Sequence, residues 1–310
     1  MKIAVVGPGA IGCLFGAMLS RGGHEVWLID RRPDRARLLD HRGIWVSGVS
    51  GEFNARVHAT ASPKDAGEVR LVVIAVKAFD TREAAQVADA LAGGDTAVLT
   101  LQNGLGNIEV LQEVLGKDRV IGGVTSQAAT LIAPGQVHHA GQGATVIGEP
   151  SGELTERLTD VTEAFASAGV HANLTTNLDS DIWSKLAVNA GINAVATLAQ
   201  VRNGGILESR HLRELLSAAA AEASAVAKAK SITLTHEDVA AYAQEMCQRT
   251  ANNVNSMLQD VHRRRRTEID AINGAVVREG EAVGVPTPTN RVLTALVRGL
   301  EDTYGARLGR

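Results

Sequence analysis

Cysteine is scarce in this chain of 310 residues, with only Cys13 and Cys247 present. They stand far apart and without metal-ligand spacing, which argues against a disulfide framework or a cysteine-built zinc cluster and fits a reducing, cytoplasmic setting. An excess of either charge is missing too. Lys and Arg number 31 against 34 Asp and Glu, a net charge of -3, so no global field draws the chain to DNA or RNA. Long apolar runs are also lacking: none approaches the roughly 20 residues that a membrane-spanning helix requires. The N-terminal stretch "IAVVGPGAIGCLFGAML" is apolar enough to imitate a secretory signal. Glycines and a proline interrupt it and it carries no A-x-A pattern, so it reads better as strand, tight loop and helix. Neither internal repeats nor low-complexity linkers are evident. The composition is that of an ordinary soluble protein, 45% hydrophobic and 21% charged, long enough for two domains with a core each.

The segment "KIAVVGPGAIGCLFGAMLSRGGHEVWLID" runs from a β-branched stretch through glycines into an apolar helix and out to a second strand. In that context Gly-x-Gly-x-x-Gly is a strong signal for a bound dinucleotide. Gly7 would make the tight turn, Gly9 would admit a pyrophosphate against the backbone, and Gly12 would let the helix pack on the strand. The N-terminus of the helix that follows, with its free N–H groups and positive dipole end, would face the phosphates. Pro8 removes one N–H from this loop but spares its glycines.

Cofactor choice depends on the residues just after the second strand. Asp30 stands where a carboxylate would bind the ribose 2′-hydroxyl of NAD, whereas Arg31 and Arg32 could grip the 2′-phosphate of NADP. The tandem arginines favour NADP; Asp30 keeps NAD open, or pairs with one of the arginines. Two further apolar runs end at Lys77 and at Asn103, and ligands of open α/β sheets lie beyond such carboxyl ends. Lys77 and Asn103 would then point at the same crevice, unless they are ordinary loop residues. Glycine-punctuated runs between 120 and 150 suggest an antiparallel extension of the sheet. Adjacent His138 and His139 would face opposite ways there, which argues against a shared metal.

From about residue 177 the pattern turns helical. The expected fold is α/β: an N-terminal Rossmann-type dinucleotide-binding domain, residues 1–176, followed by an all-helical C-terminal domain, residues 177–310. Within "IWSKLAVNAGINAV", residues 182–195, Lys185, Asn189 and Asn193 recur at steps of four. Side chains four apart on a helix drift by only ~40°, so these form one narrow polar stripe. Such a stripe can be the wet edge of an amphipathic helix. Here Trp183, Leu186, Ala187, Val188, Ile192 and Val195 cover most of the circumference, which predicts a buried helix whose polar groups need partners, protein or ligand. Farther on, Arg263 to Arg266 on successive helical positions would face all directions, as a solvated or ion-paired run does. Ser256 and Glu268, twelve positions apart, stand ~120° out of phase on a straight helix. For both to serve one site the helix must break or bend, with Thr267 able to cap a new start.

Together these pieces resemble ketopantoate reductases (2-dehydropantoate 2-reductases) nearly end to end. The matching pieces are "GPGAIG", "VKAFD", "LQNGLGN", "IWSKLAVNAGINAV", "RNGG" around Asn203, "SMLQDV" with "RTEIDAINGAVV", and "GVPTPTNRVL". The resemblance implies NADPH-dependent reduction of a small 2-keto acid, ketopantoate, to (R)-pantoate. It implies Lys185 as proton donor, Glu268 beside the nicotinamide end, and Asn103 touching both cofactor and substrate. Asn189, Asn193, Asn203 and Ser256 would hold the substrate. For the cofactor it implies the loop Gly7, Gly9, Ala10, Ile11 and Gly12, then Arg31, Lys77 and a backbone contact at Ala128. The chemistry agrees, because reducing an α-keto acid leaves an alkoxide that needs a proton, and a lysine ammonium in a partly desolvated cleft can supply it. Two alternatives stand beside this reading: a related dehydrogenase for another 2-keto acid, and a non-catalytic NADP-binding sensor. The polar set is more than a sensor needs. Neither nucleic acid nor membrane is an expected partner, and a homodimer is left open.

Overall fold

Alternating β-branched runs and apolar helices give the first part of the chain its layered α/β build. The computed structural model describes residues 1–306. It divides into two units, residues 1–102 with 106–178, and residues 103–105 with the chain from 179 on. The first unit opens with β1 (Lys2–Val6), α1 (Ala10–Arg21), β2 (Glu25–Ile29), α2 (Pro33–Arg42), β3 (Ile44–Gly48), β4 (Phe53–Ala55), β5 (His58–Thr60) and α3 (Pro63–Ala66). It continues with β6 (Val69–Ile74), α4 (Thr81–Leu91), β7 (Ala92–Thr100), α5 (Asn107–Leu115), β8 (Val120–Thr125), β9 (Ala128–Ala133), β10 (Gln136–Gly141), β11 (Thr145–Gly148), α6 (Glu156–Ser167) and β12 (Ala172–Leu174).

An eight-stranded sheet runs in the order β12-β11-β8-β7-β6-β1-β2-β5. β1 pairs in parallel with β2 on one side and β6 on the other. Strand addition reverses there, and at such a switch point the carboxyl ends leave room for a ligand. Beyond Lys2, Glu25 and Arg70 near their starts these strands are apolar, because both faces are covered. Ile3, Val5, Leu71 and Leu99 pack with Phe15 and Phe165, while Ala4, Val6, Val72 and Val98 pack with Ala85 and Leu91.

The expected antiparallel extension is present only in part. β8 and β11 pair antiparallel within the large sheet, but β9 and β10 leave it and join β3 and β4 in a separate four-stranded sheet, β4-β3-β10-β9. Side-chain alternation explains the departure. Ile44, Val46 and Val137 enter the core while Trp45, Gln136 and His138 face water, a one-sided pattern that suits a sheet covered on one face only. His138 is therefore exposed and His139 fully buried.

The second unit is helical: α7 (Leu178–Ala199), α8 (Gly205–Glu208), α9 (Arg210–Ala229), α10 (Val239–Arg249), α11 (Ser256–His262), α12 (Asn273–Val283) and α13 (Pro288–Asp302). From Trp183 to Thr197 every residue of α7 is buried except Lys185, Val188 and Asn189. Gly191 permits the close approach of α9, since a Cβ there would meet the Leu216 carbonyl oxygen at 2.9 Å. Buried amides tie the bundle together. Asn273 donates to the Ala190 carbonyl at 2.9 Å and to Asn290 Oδ1 at 3.0 Å, and Asn290 donates to the Ala219 carbonyl at 3.0 Å. Glu222 accepts the backbone N–H groups of Thr289 and Asn290 at the start of α13. Among the described residues no helix is long and apolar enough to cross a membrane.

The arginine run is not helical, contrary to the expectation from its sequence. α11 closes as the N–H groups of Arg263 and Arg265 both donate to the Asp260 carbonyl, and Arg264 takes a left-handed φ of 52°. The chain then turns until Asn273. Thr267 Oγ1 accepts the Ile269 N–H at 3.2 Å, so it caps this intervening turn rather than α12 itself.

Candidate functional site

Each glycine of the first loop has its own reason to be glycine. Gly7 has φ +90°, and a Cβ on it would strike Val76 at 2.5 Å. A Cβ on Gly12 would lie 2.3 Å from the Gly7 carbonyl oxygen, so α1 starts hard against the turn that precedes it. Gly9 differs. A Cβ there would meet nothing of the protein within 4 Å, which leaves space for a ligand to approach the backbone. No side chain caps α1, so its first N–H groups and dipole can serve an anion. The loop therefore fits a dinucleotide pyrophosphate.

Asp30 comes directly after β2 and is 1% exposed. Its carboxylate accepts the Arg32 backbone N–H at 3.0 Å and pairs with the guanidinium of Arg35. Its side-chain partner is thus neither of the tandem arginines. Arg31 is exposed, 3.6 Å from Asp80 and 3.9 Å from Glu83. Asp80 belongs to the short turn opened by Lys77, whose carbonyl accepts the Asp80 N–H at 2.8 Å. Arg31 and Lys77 are brought to one place in this way, beyond β2 and β6. Arg32 instead lies exposed with Asp34 at 2.6 Å. Ala128 begins β9, paired with Gly141 in the smaller sheet.

The second unit holds the other polar set. Residues 103–105 belong to it: the Leu105 N–H donates to the Ala271 carbonyl at 3.0 Å. Gly104, with φ 85°, lies so near that a Cβ would be 2.3 Å from the same oxygen. Ala271 in turn donates its N–H to the Glu268 carbonyl at 3.0 Å, so Asn103 and Glu268 stand on segments pinned to each other. Glu268 is 6% exposed and acts electrostatically on Lys185. Lys185 keeps some surface along the open strip of α7, yet protein encloses it densely enough that burial pulls its pKa from 10.5 to about 8, with Glu268 opposing the fall.

Asn189 shares that strip, one turn along, while Asn193 is buried. Asn203 is buried as well, its N–H bound to the Asn253 carbonyl at 3.0 Å and its Nδ2 to Thr250 at 2.9 Å. Its Oδ1 has no protein partner among the described residues. Ser256 is the exposed first residue of α11, whose cap is Asn255, accepting the Leu258 N–H at 3.0 Å. Sequence reasoning passed over Arg35 and Asn273. Neither sits in a recognisable motif, and only the folded chain reveals what each touches.

A Rossmann-type sheet joined to a helical unit is the architecture of dinucleotide-dependent reductases. The chain matches the family model described as "Ketopantoate reductase PanE/ApbA" over residues 3–152 and the corresponding C-terminal model over residues 177–301; it belongs to this family of oxidoreductases. A relative from Archaeoglobus fulgidus named 2-dehydropantoate 2-reductase is 36% identical over 302 residues, 97% of this chain and 98% of that one. A ketopantoate reductase structure from Ralstonia eutropha JMP134 superposes with a TM-score of 0.89 at 34% identity, covering 98% of this chain and 99% of its own. A D-mandelate dehydrogenase structure with NADH and anilino(oxo)acetate has a TM-score of 0.91 at 29% identity, with the same coverage of both chains.

Proposed function

We propose that the protein reduces ketopantoate to (R)-pantoate with NADPH, a step of pantothenate and coenzyme A biosynthesis. The observation that carries this reading is Lys185, whose pKa of about 8 lies close enough to neutrality for a general acid, on the one open strip of a buried helix. The bound nicotinamide would supply the hydride to the ketone carbon. Lys185 would stabilise the developing alkoxide and then protonate it. Glu268 would keep Lys185 charged, and thus able to donate, until the alkoxide forms. Asn103, Asn189, Asn193, Asn203 and Ser256 would bind the carboxylate and hydroxyl of the substrate. The glycine loop, Arg31, Lys77 and the backbone at Ala128 would hold the dinucleotide.

The similarity to a D-mandelate dehydrogenase bound to NADH supports a second reading, a reductase of another 2-keto acid. A panel of 2-keto acids, each assayed with NADPH and NADH by loss of reduced-nicotinamide absorbance, separates the two. Highest kcat/KM with ketopantoate and NADPH is expected. A larger value with an aryl keto acid and NADH would replace the first reading by the second. Lys185→Ala should lower kcat by ~10²–10⁴, and near-normal turnover would remove it from the role.

A further inference from the structure

The carboxylate at the end of β2 is the group that, in this architecture, selects NAD by accepting the ribose 2′-hydroxyl. Here it is engaged from within. One Asp30 oxygen takes the Arg32 N–H at 3.0 Å and the other meets the Arg35 guanidinium, and the group is 1% exposed. Arg35 stands in the first turn of α2, its side chain only 24% exposed, so it covers Asp30 as well as neutralising it. Both charges are felt by Cys13 in the first turn of α1. The Cys13 thiol itself donates to the Pro8 carbonyl at 3.3 Å, so the pair lies close behind the glycine loop. Arg31 is placed differently. Its side chain is 68% exposed and its guanidinium comes no closer than 3.6 Å to its carboxylate neighbours, a weak surface pairing that a dianionic group can displace.

From this division of labour we propose that Arg35 is a positioning residue that commits the ribose subsite to a 2′-phosphorylated adenosine. It does so by holding Asp30 in an internal ion pair, while Arg31 meets the phosphate. The proposal rests on NADPH being the cofactor and assigns the selectivity to a residue that never touches it. With Arg35 in place, a 2′-phosphate meets no bare carboxylate and a 2′-hydroxyl finds no free acceptor. Without it, both conditions reverse.

The test uses 2′,5′-ADP and 5′-AMP, which differ only in the 2′-phosphate, as probes titrated calorimetrically into the full-length protein, so that no keto acid is involved. Wild type should bind 2′,5′-ADP more tightly than 5′-AMP. Arg35→Leu should lower that preference at least tenfold, and adding Asp30→Asn to the same chain should restore it. Arg35→Lys should retain the preference, and so should Asp30→Asn alone, which covers the case in which Arg35→Leu does not fold. A preference unchanged in folded Arg35→Leu, or lost in Asp30→Asn, overturns the proposal, as does a wild type that prefers 5′-AMP. Should ketopantoate prove not to be reduced while the probe preferences move as stated, the substrate reading fails and this one stands.

Discussion

Replacing Glu268 with Gln tests whether the lysine on α7 is the acid. Two opposed effects set its pKa of about 8: burial lowers it and Glu268 raises it. Removing the carboxylate charge leaves burial unopposed, so the pKa must fall. The smallest shift that a neighbouring opposite charge usually produces is about one unit, equivalent to about 1.4 kcal/mol. With that shift, the protonated fraction at pH 9 drops from roughly 9% to roughly 1%, whereas at pH 6 both proteins stay almost wholly protonated. If the ammonium donates the proton, kcat/KM of wild type for the keto acid should be flat below pH 8 and fall about tenfold per unit above it. The variant should break near pH 7. The ratio of wild type to variant should then be about eightfold larger at pH 9 than at pH 6, whatever pH-independent loss the amide causes. The assay is kcat/KM for the keto acid at saturating cofactor, from about pH 6 to 9. Equal loss at every pH, or a rate that climbs through pH 8, would refute the assignment of Lys185 as acid and of Glu268 as the group that keeps it charged.

Gly9→Ala should leave the thermal midpoint unchanged, because its Cβ meets no protein atom within 4 Å, while weakening NADPH binding measured by fluorescence. Gly12→Ala places a Cβ 2.3 Å from the Gly7 carbonyl oxygen and should lower the midpoint by several degrees; the same response from both variants would contradict the distinction. Burial pushes the thiols of Cys13 and Cys247 up to about 12, so a thiol reagent at pH 8 should label the protein only after unfolding. Fast labelling of the native protein would show that these thiols are not enclosed. Asn273→Ala removes the donor to Ala190 and Asn290 and should lower stability by about 1–3 kcal/mol in urea titration; no change would mean that the amide ties are dispensable.

The first unit was readable because its signals are local. A glycine loop between strand and helix, and apolar runs that end in polar residues, need only neighbours in sequence to be recognised. The smaller sheet was not, since β3 pairs with β10 across some ninety residues, as in Trp45 with Gln136, and no local pattern encodes such a partner. The arginine run misled for a related reason. Four good helix formers in a row favour a helix, but the Asp260 carbonyl draws in the N–H groups of Arg263 and Arg265 and ends it. Asp30 shows the same limit at the scale of one side chain. Its position after β2 could be read, whereas its partner Arg35 is chosen by the geometry of the turn into α2.

The polar stripe of α7 illustrates what burial adds to periodicity. On the wet edge of an amphipathic helix the polar residues take the surface and the apolar ones leave it. Here the order is mixed: Val188 keeps surface beside Lys185 and Asn189, while Asn193 is only 5% exposed. Solvent therefore does not explain where the polar groups lie. Lys185 carries the same message, for a lysine selected only for solubility would keep its ordinary pKa in water, and this one is lowered to about 8 with a buried carboxylate as its counterweight. Such an arrangement costs folding free energy, and groups perturbed in this way cluster at functional sites. That cost, rather than the spacing of four, separates a site from a surface.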